Sequence, residues 1–398
     1  MIICVSLGGS KIQIGALTNE DEFFASESIS WRKEQIFKDC YNDKTSDKFC
    51  LALIKIIDQF IKQKNASIKD VKTIGFPFPG PCKNKLWYSN NLTIVFQKGV
   101  NIENAISKKI KEYYGLNSIN FPIRVIFDAQ CDTAGELYHP NGCLKNIGSE
   151  GATVLNLATG IAAGFIVNQS ILISTKSFQT NIHHSYDSGA GQLGRHLWFY
   201  PEEEKWKYHY RPEGKTPNIQ NNADRLTDRL SGPSIAARLI SFLHTKNNLS
   251  LLKKEINFTI SEKSIEEIIL ERHGSSTKAS IIMRNQTETL SKEILLWLDE
   301  KYKNKQTFID EFISIIAKEL AEAIYTWAKA DGWSNVSRSL VLTGGVGINF
   351  LKSMDVDPER SFLNILNKYL PEIKITRSTI DDAVHREIYI FKKSVNLI

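Results

Sequence analysis

The sequence predicts an α/β protein of two domains with a ligand cleft between them. Strand-like runs separated by amphipathic helical runs fill roughly the first 120 residues. A strand, a glycine-rich turn and a second strand occur at the N-terminus and again near residue 155, once in each half. The 398 residues, 42% hydrophobic and 24% charged, suffice for two cores and do not suit a disordered chain. The expected division is an N-terminal α/β domain over 1–120, to which a C-terminal helix over 383–398 returns, and a C-terminal α/β domain over 121–382 with insertions near 196–226 and 246–290.

In chain order, residues 2–17, IICVSLGGSKIQIGAL, read as a hairpin: Ile2, Ile3, Cys4 and Val5 before the glycine turn, Ile12 and Ile14 alternating after it. Residues 47–64 space Phe49, Leu53, Ile57 and Phe60 for a core-facing helix. The strand over 71–78 is expected to stop at Pro77-Phe78-Pro79-Gly80-Pro81, because proline has no N–H for a ladder. An amphipathic helix over 101–114 follows, then a strand at 123–128 and a helix over 129–138. The second strand pair is 153–157 and 165–167, around the small-residue turn 158–164. Residues 199–225 are polar and proline-punctuated and read as a surface insertion, its Trp206, Tyr208 and Tyr210 packing on the body or forming a lid. Ser231 or Ser234 is a candidate cap for a helix reaching about residue 244. Beyond the helix-rich stretch 246–290 come one or two long helices over 294–330 and a strand at 339–342 that runs into Thr343-Gly344-Gly345. A largely helical stretch over 350–366, a strand at 373–376 and a helix over 382–393 close the chain.

The net charge of +6 is dispersed among acidic residues, which argues for a solvated surface rather than a nucleic-acid face. Six cysteines without CxxC spacing signal neither a disulfide framework nor a zinc knuckle and suit free thiols in a reducing cytosol. The strand-like start and the lack of a long apolar run give the expectation of a cytoplasmic protein with no membrane partner.

The chemistry centres on Asp128 in IFDAQCDTAGELY (126–138), where a carboxylate ends an apolar strand and precedes a helix. Taken alone it is a cap or loop residue; pointed into a cleft, partial desolvation would raise its basicity. Gly8-Gly9, Thr159-Gly160 and Gly344-Gly345 each follow a strand. With Asp128 between the first two, their order resembles the actin, hexokinase and sugar-kinase superfamily, and more closely the ROK family of sugar kinases and relatives. IGFPFPGP (74–81), GAGQLGR (189–195), LSGPSI (230–235) and STIDDA (378–383) resemble further family segments in the same order.

The resemblance implies a two-domain actin-like ATPase (ribonuclease H-like) fold. It also implies ATP-dependent phosphorylation of a hydroxyl on a sugar or sugar derivative, with Mg²⁺ beside the nucleotide. Asp128 would be the general base. Gly8, Gly9, Ser10, Lys11, Thr159 and Gly160 would hold phosphates, and Gly344, Gly345 and Val346 would border the adenine. Asn91, Gln192 and Arg195, together with Asp128, would contact the substrate.

The departures from the family pattern are as informative. Ser6 stands where the family has an aspartate near the metal, so no metal ligand is assigned. Ala158, Ala162 and Ala163 replace usual glycines of the second turn. Gln192 and Arg195 replace the family's sugar-binding glutamate and histidine, and the guanidinium suits an anionic acceptor. His183, His184 and His196 are nearby candidates to replace that histidine. With Arg195 at the histidine position and no cysteine between it and Ser231, the family's structural zinc is not expected. A hairpin beginning at residue 2 leaves no room for the N-terminal helix-turn-helix of the family's repressors. Relatives are commonly dimers or tetramers, which leaves a homo-oligomer open. The competing expectation is a non-catalytic ROK-fold sensor or scaffold that binds a sugar or nucleotide.

Overall fold

The structure is a computed structural model that describes all residues except 9–10, 30–33, 41–44, 90–91, 93, 149, 159, 172–195, 200–208, 211–222, 226–228, 257–259, 271–282, 284–287, 331–336, 353–354, 356, 358 and 396–398. Two five-stranded sheets organise it. In the first, β1 (Ile2–Leu7) and β2 (Ile12–Leu17) form the expected antiparallel hairpin, in register from Ile2 opposite Leu17 to Leu7 opposite Ile12. β3 (Phe23–Ala25) edges β2. After α1 (Gln35–Lys38) and α2 (Asp47–Gln63), β4 (Thr73–Phe78) joins β1 in parallel. β5 (Cys82–Lys83), β6 (Leu86–Trp87) and α3 (Ile102–Tyr114) lead to β7 (Ile123–Phe127), parallel to β4. β7 lies beyond residue 120 and still belongs to the first sheet.

The period-2 alternation of β1 sends its residues to two cores. Ile3, Val5 and Leu7 face the cluster that holds Phe49, Leu53 and Ile57 of α2 and Ile102, Ile106 and Ile110 of α3. Ile2 and Cys4 face the opposite cluster. β4 is buried at every residue and reads as one apolar run, as a strand covered on both faces should. It ends at Phe78, within the proline-rich stretch where the sequence expects it to stop, with Pro77 still inside the strand opposite Ile126. The ladder to β1 has already finished at Gly75, so that side of β4 requires no further donor.

α4 (Asp128–Tyr138) leads to the second sheet, where β8 (Gly151–Leu157) pairs with β9 (Ile161–Val167), and β10 (Ser170–Ile171) adds an edge. Within the stretch expected to be a surface insertion, β11 (His196–Phe199), β12 (His209–Tyr210) and β13 (Ala223–Arg225) pair into a small sheet. Trp206 and Tyr208 lie outside the described residues. α5 (Gly232–Thr245) starts behind Ser231, whose hydroxyl bonds Ser234 Oγ at 2.8 Å instead of capping the helix. α6 (Leu249–Glu255), α7 (Glu262–Leu270), α8 (Glu288–Lys303) and α9 (Thr307–Ala330) follow.

β14 (Ser337–Thr343) runs parallel to β8 and leads straight into the short helix α10 (Gly344–Asn349). The expected helix over 350–366 is confined to α11 (Phe362–Tyr369), with Ser361 Oγ accepting from Asn364 N at 3.4 Å. β15 (Lys374–Arg377) pairs with β14, and α12 (Ala383–Val395) ends the fold behind Asp382, whose Oδ1 caps Val384 N at 3.0 Å. Leu155, Leu157 and Phe165 pack on α5, α8 and α9, the largest core.

α4 and α12 pack against each other between the two sheets, α4 lying on β8 and β9 and α12 on β1, β2 and β4. Gly135 makes that packing possible, since a Cβ there would stand 2.6 Å from Arg386 Cβ. Phe391, fully buried under β4, contributes roughly 1.5–3 kcal/mol by its burial.

Candidate functional site

Strands β1, β4 and β7 are parallel, so their carboxyl ends share one edge of the first sheet, where a parallel sheet normally offers its ligand crevice. β1 ends at Ser6, Leu7 and the Gly8 turn, and β7 ends at Asp128. The Gly8 turn is closed by its own N–H donating to Lys11 O at 2.8 Å. Parallel β8 and β14 likewise bring Ala158, Gly160 and Gly344 to one edge of the second sheet. Gly232 N donates to Ala158 O at 2.9 Å, so the start of α5 joins that edge.

Gly344 has φ +78°, a left-handed value that favours glycine, and a Cβ on it would stand 2.5 Å from Asn156 Oδ1 and 2.6 Å from Leu157 O. The backbone of the third glycine turn is thereby seated on β8. Gly345 and Gly160 differ: a Cβ on either would meet nothing within 4 Å. Both present open backbone, as a phosphate or nucleoside cradle needs. Val346 is buried over the core beside Gly347.

Asp128 opens α4 half-buried, with Oδ1 accepting from Ala129 N at 2.8 Å. Burial raises its pKa to about 7, and the Asp132 carboxylate one turn further on adds to the rise, against the Ala129 N–H that pulls it down. Asp132 is fully buried and satisfied by Arg386 Nε at 2.9 Å and by Asn156 Nδ2. Arg386 also donates to Ile380 O. One carboxylate of α4 therefore ties the helix to β8 and to α12 at once.

Glu387, next along α12, is buried, and its pKa lies well above the usual carboxylate range because of burial first and the charge of Asp132 second. The Ser6 hydroxyl of β1 bonds it and opposes that rise. Around the C-terminal motif, Ser378 Oγ donates to Glu136 Oε1 at 2.5 Å.

Of the residues expected from sequence, Gly8 and Lys11 share the first edge with Asp128, and Gly160, Gly344, Gly345 and Val346 gather at the second. Gly9, Ser10, Asn91, Thr159, Gln192 and Arg195 lie outside the described residues, as do His183 and His184; His196 is a residue of β11. Sequence reasoning missed Asp132, Asn156, Arg386 and Glu387. Asp132 alone carried a local signal, the i, i+4 spacing from Asp128 that puts both carboxylates on one helix face.

The fold is that of the actin-like ATPases, two α/β halves with the candidate site at the strand ends of both. It is shared along nearly the whole chain by a putative sugar kinase from Cytophaga hutchinsonii, with TM-score 0.57, 15% identity and coverage of 99% of both chains. A ROK family glucokinase from Streptomyces griseus, solved with glucose and AMPPNP, gives TM-score 0.55 and 13% identity over 98% of both chains. A ROK family transcriptional regulator, described as a homolog of the Escherichia coli MLC protein, gives 0.58 and 12% over 99% of this chain and 78% of its own. No curated protein matches the sequence. Residues 2–196, just under half of the chain, match the ROK family model.

Proposed function

We propose that the protein is an ATP-dependent carbohydrate kinase in which Asp128 is the general base that accepts the proton of a sugar-like hydroxyl. The single observation that carries this reading is the Asp128 carboxyl, half-buried at the end of β7, with its pKa raised to about 7. A base of that strength is balanced between charged and neutral forms at ordinary pH, the condition under which general-base transfer contributes about 10² to 10⁴ in rate.

The division of labour follows from the strand ends. The open backbone at Gly160 and Gly345, with Gly344 and Val346, supports nucleotide binding at the second sheet. Gly8, Gly9, Ser10, Lys11 and Thr159 are proposed for the phosphates, and Asn91, Gln192 and Arg195 for the acceptor, with Arg195 favouring an anionic one. When bound, ATP would supply the phosphoryl group and Mg²⁺ would screen its charge. Asp128 orients the hydroxyl and takes its proton, while the Asp132–Arg386 pair holds the first turn of α4 in place. The two domains are proposed with the expected boundary at 120 moved past β7, so that the first also takes Ile123–Phe127 and the returning 383–398, in a cytoplasmic protein that takes a small molecule rather than nucleic acid or membrane. No helix among the described residues is long and apolar enough to cross a membrane.

A sensor that binds without turnover is the second reading, favoured by Ser6, which carries a hydroxyl and no charge at the end of β1. One assay separates them. ADP release is followed with ATP, Mg²⁺ and a panel of neutral and anionic sugars, for the wild type and Asp128→Asn. Asp128-dependent ADP release supports the kinase; ligand binding with no release on any acceptor supports the sensor.

A further inference from the structure

Among the described residues, Glu387 is a buried carboxyl near the site whose coordination is incomplete. It is 4% exposed, and among the described residues its Oε2 has no hydrogen-bond partner. Its neighbour on α12, Arg386, is already committed to Asp132 and to Ile380 O. The groups that act on the Glu387 carboxyl are the Ser6 hydroxyl of β1, Asp132 and Asp128 of α4, and Arg386. Three carboxyl groups thus face one guanidinium. An unsatisfied buried acceptor costs on the order of 1–3 kcal/mol, more when it is charged. A partner from outside the chain that satisfies Oε2 would recover that cost.

We propose that Glu387 supplies, from α12, the carboxylate that holds the nucleotide's divalent cation at the end of β1, where Ser6 brings only a hydroxyl. The inference rests on the phosphotransferase reading above and deepens it. Ser6 is half-buried near the end of β1, and its hydroxyl bonds the Glu387 carboxyl of the neighbouring helix. Among the described residues no three His, Cys, Asp or Glu side chains form a metal cage. Mg²⁺ takes one or two carboxylates, directly or through water, and completes its shell with nucleotide phosphates and waters. The Glu387 carboxylate would set where the cation sits relative to Asp128, and the cation would favour the ionised form of Glu387 that burial alone disfavours.

The test uses the full chain with Mn²⁺ as probe and AMPPNP as nucleotide, read by electron paramagnetic resonance and calorimetry. Glu387→Gln, nearly isosteric, is expected to melt cooperatively and to bind Mn²⁺ in the AMPPNP complex about ten- to a hundred-fold more weakly. The double variant Ser6→Asp with Glu387→Gln, which returns a carboxylate to β1, is expected to recover most of that affinity. Unchanged Mn²⁺ affinity in Glu387→Gln overturns the inference, and so does a loss that Ser6→Asp leaves unrepaired. If Glu387→Gln does not fold, Glu387→Asp, which withdraws the charge by one methylene, replaces it: weaker Mn²⁺ binding supports the inference and unchanged binding overturns it. Failure of the kinase reading shows differently, as wild-type protein that binds no AMPPNP or releases no ADP in an Asp128-dependent way.

Discussion

Arg386 Nε donates to Asp132 Oδ1 at 2.9 Å, and both side chains are 1% exposed. Breaking such a pair on one side leaves a charge stranded in the interior, at a cost of about 3–5 kcal/mol. Arg386→Met is therefore expected to lower stability by about that amount in urea unfolding, with a loss of under 1 kcal/mol counting against the pair as the tie between α4 and α12.

Asp128→Asn should separate activity from stability. Turnover is expected to drop by about 10² to 10⁴. The folded-state pKa is raised from 3.8 to about 7, so the folded chain binds the extra proton and this group's contribution to stability is lost as pH rises through that window. Removing the ionisable group should therefore raise the melting temperature at pH 8, by a stability increment on the order of 1–3 kcal/mol, and change little near pH 4. Scanning calorimetry at both pH values is the check.

The same carboxyl sets a pH profile for catalysis. As the base must be ionised, kcat/KM is expected to rise with pH and level off above about 7. A profile flat from pH 5.5 to 8 would remove Asp128 from that role.

His139 gives the opposite slope. Its Nδ1 accepts from Asn141 N at 2.9 Å and its Nε2 meets His385 Nε2 at 3.2 Å, an arrangement that requires both rings neutral. Phe23 of β3 stacks on His385 at 3.9 Å, and Tyr389 edges His139. Burial first, then His385 and Lys392, lower the His139 pKa from 6.5 to about 4, and burial also lowers that of His385 against the pull of Asp382. The unfolded chain therefore binds more protons between those values, and stability is present above about pH 6.5 and lost on acidification towards about 4. His139→Gln is expected to flatten the melting temperature across that window; an unchanged slope would place the sensitivity elsewhere.

Gly344→Ala should weaken nucleotide binding without touching Asp128. The added methyl group would stand 2.5 Å from Asn156 Oδ1 at a φ of +78°. The expected cost is roughly 1–3 kcal/mol of stability, with looser AMPPNP binding measured by calorimetry.

Much of the scaffold was legible because its signals are local. The hairpin at β1 and β2, the strand before Asp128 and the paired β8 and β9 follow from alternation and glycine punctuation, and Asp128 itself from a carboxylate closing an apolar run. The proline-rich stretch marked the end of β4 correctly, and Pro77 fits inside the strand because the ladder to β1 ends two residues earlier, at Gly75. The partners of the site were not legible for another reason. Arg386 lies 254 positions from Asp132, and on an amphipathic helix a buried arginine reads like a solvated one until the fold supplies its carboxylate. Glu387 carries no local mark at all: its meaning depends on a serine at the opposite end of the chain.

The order in which the halves can mature also follows from the place of α12. Ile2, Cys4 and Leu17 at the beginning of the chain are buried by Val384, Ile388 and Phe391 near its end. During synthesis that face of the first sheet therefore has only Cys131 and Ala134 of α4 to cover it until the segment 383–395 has left the ribosome. The earliest strands to be made are among the last to be finished, and over that interval their uncovered face is the natural place for a chaperone to hold the nascent chain.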